Sequence, residues 1–185
     1  ESFVSGLIPK PLHDLAAAVR FIRQLRSKAE DYYAAVFSAG GHLASLWGSS
    51  ALGAPKYGLP LPKPSLLASP LISLTHIPEP LNSYFRKGLF GASVESETAD
   101  LYNAAGQMTQ AYPPFYLVRA ADDTTVSPQD SEDMETAARR CRVPHKTETA
   151  CAGGHGFGPG TGTPLAGWLK RGMAFLDTTE DTAAK

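Results

Sequence analysis

Three residues in this sequence have side chains that could act together as a nucleophile, a base and an orienting acid. Ser38 ends the apolar run 34–37 and is followed by small residues, a pattern typical of a strand that turns sharply into a helix. His155 lies in the glycine-rich segment 153–158, and Asp123 lies in a polar run between them. A hydroxyl, an imidazole and a carboxylate are the groups needed for acyl transfer through a covalent intermediate.

Each of these residues also has an ordinary structural interpretation. Ser-Ala-Gly-Gly occurs in plain turns, a loop histidine is commonly a surface residue, and an aspartate in Asp-Asp-Thr-Thr commonly caps a turn. Asp122 competes with Asp123 for the role of the acid. The catalytic interpretation is favoured because Ser38, Asp123 and His155 each follow a predicted strand, in an order that one α/β fold uses for nucleophile, acid and base.

The rest of the chain predicts elements that could position these residues. The 185 residues are 43% hydrophobic and 19% charged, which predicts a single globular domain over 1–185. The predicted strands are 33–37, 65–74, 113–120 and 144–150. The predicted helices are 14–25, a helix from His42 onward, 127–140 and 165–176. This alternation predicts an α/β protein with a parallel, doubly wound sheet, whose ligands bind outside the carboxyl ends of the strands.

Some local details are also predicted. The first helix begins near Asp14 and places one apolar face on the sheet, and Ser131 is an N-cap candidate for the third helix. The stretch 75–110, interrupted by proline and glycine, is predicted to be an irregular cap-like insertion, either one wall of the site or a surface excursion with no role in it. The polar tail 177–185 is predicted to be frayed. The predicted apolar face of the first helix consists of Leu15, Ala18, Val19, Ile22 and Leu25.

Five sequence stretches together resemble the acetylesterase and carbohydrate-esterase branch of the α/β-hydrolases, the BD-FAE or acetyl-xylan-esterase-like group. The resemblance covers most of the chain, from Pro9 to Leu176, and its motifs are specific only in combination. The stretches are Phe-Ser-Ala-Gly-Gly-His-Leu-Ala at 37–44, Ser-Pro-Leu-Ile-Ser at 69–73, Pro-Pro-Phe at 113–115, Asp-Asp-Thr-Thr-Val at 122–126 and Gly-His-Gly-Phe-Gly at 154–158.

The resemblance implies a serine esterase that removes small acyl groups, often acetyl, from sugars or other alcohols. It assigns the nucleophile, the acid and the base to Ser38, Asp123 and His155. The amide of Ala39 follows the nucleophile and would donate to the oxyanion, and His42 and Phe157 are assigned to substrate binding. No metal and no organic cofactor is expected, and the expected partner is a small-molecule ester.

The sequence departs from the family pattern in two places. Val36 stands where the superfamily usually has a glycine two residues before the serine, which is expected to loosen or strain the turn. The fold is expected to be N-terminally shortened, because nothing before Pro9 resembles the glycine-rich loop that supplies the second oxyanion donor. A second chain or a homodimer could complete the sheet, since an unpaired strand at its edge favours association.

Other observations limit the class of protein. A net charge of −1 with scattered Lys and Arg argues against partners such as nucleic acid or an anionic membrane. No apolar run is long enough to span a membrane and no signal peptide is recognised, so a cytoplasmic location is expected. Cys141 and Cys151 are predicted to be free thiols. Two alternatives stay open: a peptidase or amidase of the same fold, and a non-catalytic binding or assembly module.

Overall fold

The sheet has four parallel strands in the order in which they occur along the chain. The computed structural model describes residues 8–25, 31–90 and 100–183. Each strand pairs in parallel with the next, so β1 and β4 are the two outer strands. The predicted α/β class with a parallel sheet is therefore confirmed. The strands are β1 (Ala35–Phe37), β2 (Ser65–Ala68), β3 (Phe115–Ala120) and β4 (His145–Ala150).

Helices cover both faces of this sheet. Alternate residues of a strand point to opposite faces, so Leu67 of β2 contributes to a core with α1, α2 and α4, whereas Leu66 packs on the other face with α5. The two Trp side chains, Trp47 and Trp168, are buried in these two cores. The helices are α1 (Lys10–Leu25), α2 (Ala39–Trp47), α3 (Leu81–Phe90), α4 (Pro128–Cys141) and α5 (Trp168–Ala183), with short 3₁₀ turns at Ala54–Tyr57 and Leu74–His76.

Several predicted boundaries are wrong by a few residues. Helix α4 is capped by Ser127, whose hydroxyl accepts from the Gln129 amide, and not by Ser131, which is buried within the helix. Pro128 fits the first helical position because it has no amide hydrogen to satisfy there. Strand β2 ends at Ala68, shorter than the predicted 65–74, and helix α5 continues to Ala183 through the tail that was expected to be frayed.

The buried face of α1 differs from the predicted one. The helix begins at Lys10 rather than near Asp14, and it buries Leu12, Ala16 and Val19. Ile22 and Leu25, predicted to be covered, are 51% and 67% exposed. In the described residues, the helix therefore extends past the part of the sheet that it covers.

The described part of the predicted insertion contains helix α3, and Asp100 and Leu101 are also helical. Its described parts are the 3₁₀ turn at Leu74–His76, helix α3 and residues 100–110, while 91–99 lie outside the described residues. Cys141 and Cys151 are free thiols, as predicted. Within the described ranges, no helix has the length and apolar character needed to cross a bilayer.

Candidate active site

Ser38 occupies the sharp turn between β1 and α2. Its backbone has φ 52° and ψ −122°, a positive φ that non-glycine residues rarely adopt and that places the side chain at the tip of the turn. The Ser38 amide donates to the Ala68 carbonyl (3.2 Å), and the Leu71 amide donates to the Ser38 carbonyl (3.0 Å). The last residue of β2 and the segment that follows it therefore bind both polar backbone groups of the serine.

Glycine is required where α2 passes this segment. A Cβ on Gly41 would lie 2.5 Å from Pro70 Cβ, closer than two carbon atoms can pack. A Cβ on Gly40 would lie 3.5 Å from Val36 Cβ, which is ordinary van der Waals contact. Val36 therefore fits beside the first turn of α2, and the close approach that demands a glycine occurs at Gly41 instead.

His155 connects Ser38 to Asp123. Its Nε2 lies 2.8 Å from Ser38 Oγ, across 117 residues of sequence, and its Nδ1 lies 2.8 Å from Asp123 Oδ2. An ionised carboxylate can only accept, so the ring donates from Nδ1 and its Nε2 is free to accept from the serine hydroxyl. The three residues predicted from the sequence thus form one continuous chain of hydrogen bonds.

The two neighbouring aspartates differ in what they contact. The Asp123 side chain is only 4% exposed, and its Oδ1 accepts from the amides of Thr125 (2.8 Å) and Val126 (2.9 Å). Burial alone would raise the pKa of Asp123, but hydrogen bonds from Val126, His155 and Thr125 outweigh it and lower this pKa below 3.8. Asp122 accepts from the Gly154 amide (2.8 Å) and so supports the loop that carries His155. The carboxylate in contact with the imidazole is that of Asp123.

Phe157 lies in an aromatic cluster under the histidine loop. Its ring packs edge-on against Phe37, which precedes the serine, and against Trp168 at the start of α5. Trp168 also donates from its indole nitrogen to the Gly158 carbonyl (2.8 Å). These contacts join the Ser38 strand to the histidine loop, a packing role that the sequence did not indicate for Trp168.

His42 is buried in α2 behind the serine. Its Nε2 lies 2.8 Å from the Tyr102 carbonyl, to which it donates. Burial lowers the pKa of His42 below 6.5, and this hydrogen bond opposes the shift only in part, so the imidazole is neutral. The side chain ties α2 to the end of the insertion and also lines a cavity beside the serine turn.

That cavity has a volume of about 350 Å³ and is bounded by three helices. Ala39 and Gly40 of α2 form one side, Leu12 of α1 another, and Leu89 of α3 a third. The sequence did not single out Leu12 and Leu89 because nothing in their pattern separates a cavity wall from the core.

Ala39 directly follows Ser38, and its amide is the oxyanion donor that the sequence predicts. It is the first residue of α2, where the amide has no acceptor within the helix and the helix dipole favours negative charge. Among the described residues, no group of three or more His, Cys, Asp or Glu side chains could hold a metal ion.

Comparison with known proteins gives similarity at the level of structure. No protein-family model matches the sequence, and no curated protein is significantly similar to it. A carboxylesterase from Lactobacillus plantarum superposes with a TM-score of 0.79 at 22% identity, over 95% of this chain and 70% of that one. An acetyl ester-xyloside bifunctional hydrolase from Caldicellulosiruptor lactoaceticus gives 0.75 at 24%, over 96% and 67%. An alpha/beta hydrolase enzyme from a Medee basin deep-sea metagenome library gives 0.67 at 17%, over 94% and 66%.

The fold is therefore that of the α/β-hydrolases, as the resemblance predicted. The chain spans about two thirds of the length of these solved structures, so a substantial part of each lies outside the match.

Proposed function

We propose that this chain is a serine ester hydrolase that acts through an acyl-enzyme formed on Ser38. The observation that carries the proposal is the hydrogen-bonded chain from Ser38 Oγ through His155 to Asp123, with both contacts to the ring at 2.8 Å. It joins residues from three different strand ends at the carboxyl edge of the sheet, where α/β proteins bind their ligands.

The proposed reaction has two steps. Ser38 Oγ attacks the ester carbonyl carbon while its proton passes to His155 Nε2, and the bond to the alcohol breaks as His155 returns that proton to the alcohol oxygen. Water then attacks the acyl-enzyme, with His155 again taking and returning a proton, and releases the carboxylic acid and free Ser38. Asp123 holds the ring in the required tautomer and stabilises its cation.

The oxyanion that forms in each step would accept from the Ala39 amide. Acyl-transfer sites use at least two such donors, and losing one costs about 10²–10³-fold in kcat. We assign one donor among the described residues, and a site with that donor alone would turn over slowly. Among the described residues β1 pairs with β2 on one side only, and a second copy pairing with its other edge is the partner we propose.

The proposed substrates are small-molecule esters of short acyl groups, acetyl first among them, on sugars or other alcohols. Two solved structures support this class: the acetyl ester-xyloside hydrolase and a truncated carbohydrate esterase from gut microbiota, which matches with a TM-score of 0.72 at 16% identity. Neither a nucleic acid nor a membrane is part of the proposal.

The test combines labelling with turnover. A fluorophosphonate should label Ser38 covalently, and hydrolysis of p-nitrophenyl acetate should fall to background in Ser38→Ala. Ser50→Ala, at an exposed serine close in sequence, is the matched control and should keep both properties. Hydrolysis that survives Ser38→Ala in folded protein would contradict the proposal.

The open alternatives give different results in the same assays. A peptidase or amidase would have a higher kcat/KM for an anilide than for the ester with the same acyl group. A non-catalytic binding or assembly module, which the single assigned oxyanion donor favours, would leave Ser38 inert to fluorophosphonate although the protein is folded.

A further inference from the structure

The cavity beside the serine turn has the character of an apolar subsite. His42 is the one polar side chain among its described lining residues, and the ring nitrogen of His42 already donates to Tyr102. The walls come from Leu12, Phe85 and Leu89, and from Leu71, whose amide contacts the Ser38 carbonyl. Such a lining favours a hydrocarbon group and disfavours a sugar or any charged group.

The position of the cavity decides which half of an ester it would hold. The alcohol must leave beside His155 Nε2, which protonates it, and none of the described lining residues belongs to the loops that carry His155 or Asp123. The carbonyl oxygen must lie at the Ala39 amide, and Ala39 itself lines the cavity. Ser38 itself is not among the described lining residues, so the cavity meets the reacting carbon at Ala39, on the side away from His155, where the acyl group would extend.

The volume of the cavity sets the length of the acyl chain that fits. A cavity of about 150 Å³ accommodates benzene, which has six carbons, so about 350 Å³ has room for a longer flexible chain. Helix α3 and the segment before α1 close the far side, where the Ile8 amide donates to the Leu89 carbonyl (2.9 Å).

We propose that this cavity binds the acyl chain of the substrate and that the enzyme prefers straight-chain acyl groups of about six to eight carbons over acetyl. This inference rests on the proposed esterase chemistry at Ser38 and replaces acetyl, the acyl group that the solved structures suggest, with a longer chain. Each methylene that is fully removed from water strengthens binding about fourfold. For a cavity that is partly open, we expect kcat/KM to rise at least tenfold from acetate to hexanoate.

The experiment measures kcat/KM for the p-nitrophenyl esters of acetate, butyrate, hexanoate and octanoate. Leu89→Trp, which fills the cavity from α3, should lower the hexanoate-to-acetate ratio at least tenfold. Leu89→Ala, which enlarges the cavity, should move the preferred length toward octanoate. Tyr84→Trp, at a 74% exposed position on the same helix, is the matched control and should leave the ratio unchanged.

The results separate the two proposals. Ser38-dependent hydrolysis with a ratio of one or less, or a ratio that neither Leu89 variant changes, would overturn the acyl subsite and leave the esterase proposal intact. Binding is tested without turnover in Ser38→Ala, where p-nitrophenyl hexanoate should raise the melting temperature more than the acetate does. Absence of that difference overturns the subsite even if no ester is hydrolysed.

Discussion

The two outer strands of the sheet each end in a loop that carries a residue of the proposed triad, yet their edges differ in chemistry. Strand β4 carries Lys146 and Glu148, and Glu148 pairs with Arg171 of α5, so its edge has the charges that discourage further pairing. Strand β1 consists of three apolar residues, and Phe37 is 39% exposed. Strand β4 therefore carries the charged residues that are usual on an exposed edge strand. The composition of β1 is instead that of a strand paired on both sides.

The helices beside β1 support this conclusion. On α5, Leu169 and Met173 lie on the flank opposite the one where Arg171 meets β4, and both are exposed. On α1, Ile22 and Leu25 are exposed in the same way. Exposed apolar side chains thus occur on a helix of each face of the sheet, among the described residues.

The two loops are also held differently. The Ser38 turn depends on backbone hydrogen bonds and on the close packing of Gly41 against Pro70. The His155 loop depends on carboxylates, since Asp123 accepts from the ring and Asp122 accepts from Gly154. The predictions below test this contrast between packing and charge.

The largest effect is expected at the carboxylate that contacts the ring. Asp123→Asn should lower kcat about 10⁴-fold, because an amide cannot hold the imidazole in the required tautomer. Asp122→Asn is the matched variant and should change kcat by less than about threefold, since its amide oxygen can still accept from Gly154. The measurement is kcat for hydrolysis of p-nitrophenyl acetate. An equal loss of kcat in the two variants would contradict the assignment of Asp123 as the residue that orients His155.

The second effect tests the packing of the serine turn. Gly41→Ala should lower kcat about tenfold and destabilise the fold by about 1–3 kcal/mol, because the new methyl group must displace Pro70. Gly40→Ala serves as the stability control, since its Cβ would meet Val36 at 3.5 Å, an ordinary contact. Thermal unfolding of both variants measures their loss of stability. A Gly41→Ala protein as stable as the parent would contradict the close packing of Gly41 against Pro70.

The third effect tests the β1 edge. We expect two copies of the chain to associate along this edge at about 100 µM, and Met173→Glu should weaken the dimer at least tenfold by burying a charge. Lys170→Glu, on the solvent side of the same helix, should have no such effect. Sedimentation or light scattering gives the mass, and a wild-type monomer at that concentration would disprove the pairing.

The smallest expected effect is that His42 of α2 and Asp123 lose their contributions to stability at different pH values. The pKa of His42 is lowered from 6.5, so its contribution to stability is present above pH 6.5 and is lost as the pH falls below that value. The pKa of Asp123 is lowered from 3.8, so its contribution is lost only below about that pH.

Melting temperatures measured from pH 8 to pH 3 should therefore decrease in two stages. His42→Gln should remove most of the first stage, and Asp123→Asn should remove part of the second. Each 1 kcal/mol corresponds to about 2–4 °C for a chain of this size. If His42→Gln leaves the first decrease in melting temperature unchanged, that decrease is caused by another group.

The sequence predicted the triad because motif residues at strand ends converge wherever the strands are parallel. It placed the helix cap at Ser131 rather than at Ser127, although Pro128, which fits the first helical position, directly follows Ser127 in the sequence. The predicted face of α1 included Ile22 because periodicity alone assumes that the sheet continues beneath the whole helix. The acyl cavity could not be predicted, since its apolar walls come from three helices that are distant in sequence.

The span of 117 residues between Ser38 and its base has a consequence for synthesis. At about 5–20 residues per second, the ribosome adds residue 155 roughly 6–25 s after residue 38. Throughout that interval the nascent chain carries a hydroxyl with no partner to activate it. Under the proposed function, ester hydrolysis would report, within a single molecule, that the His155 loop has packed against the Ser38 turn.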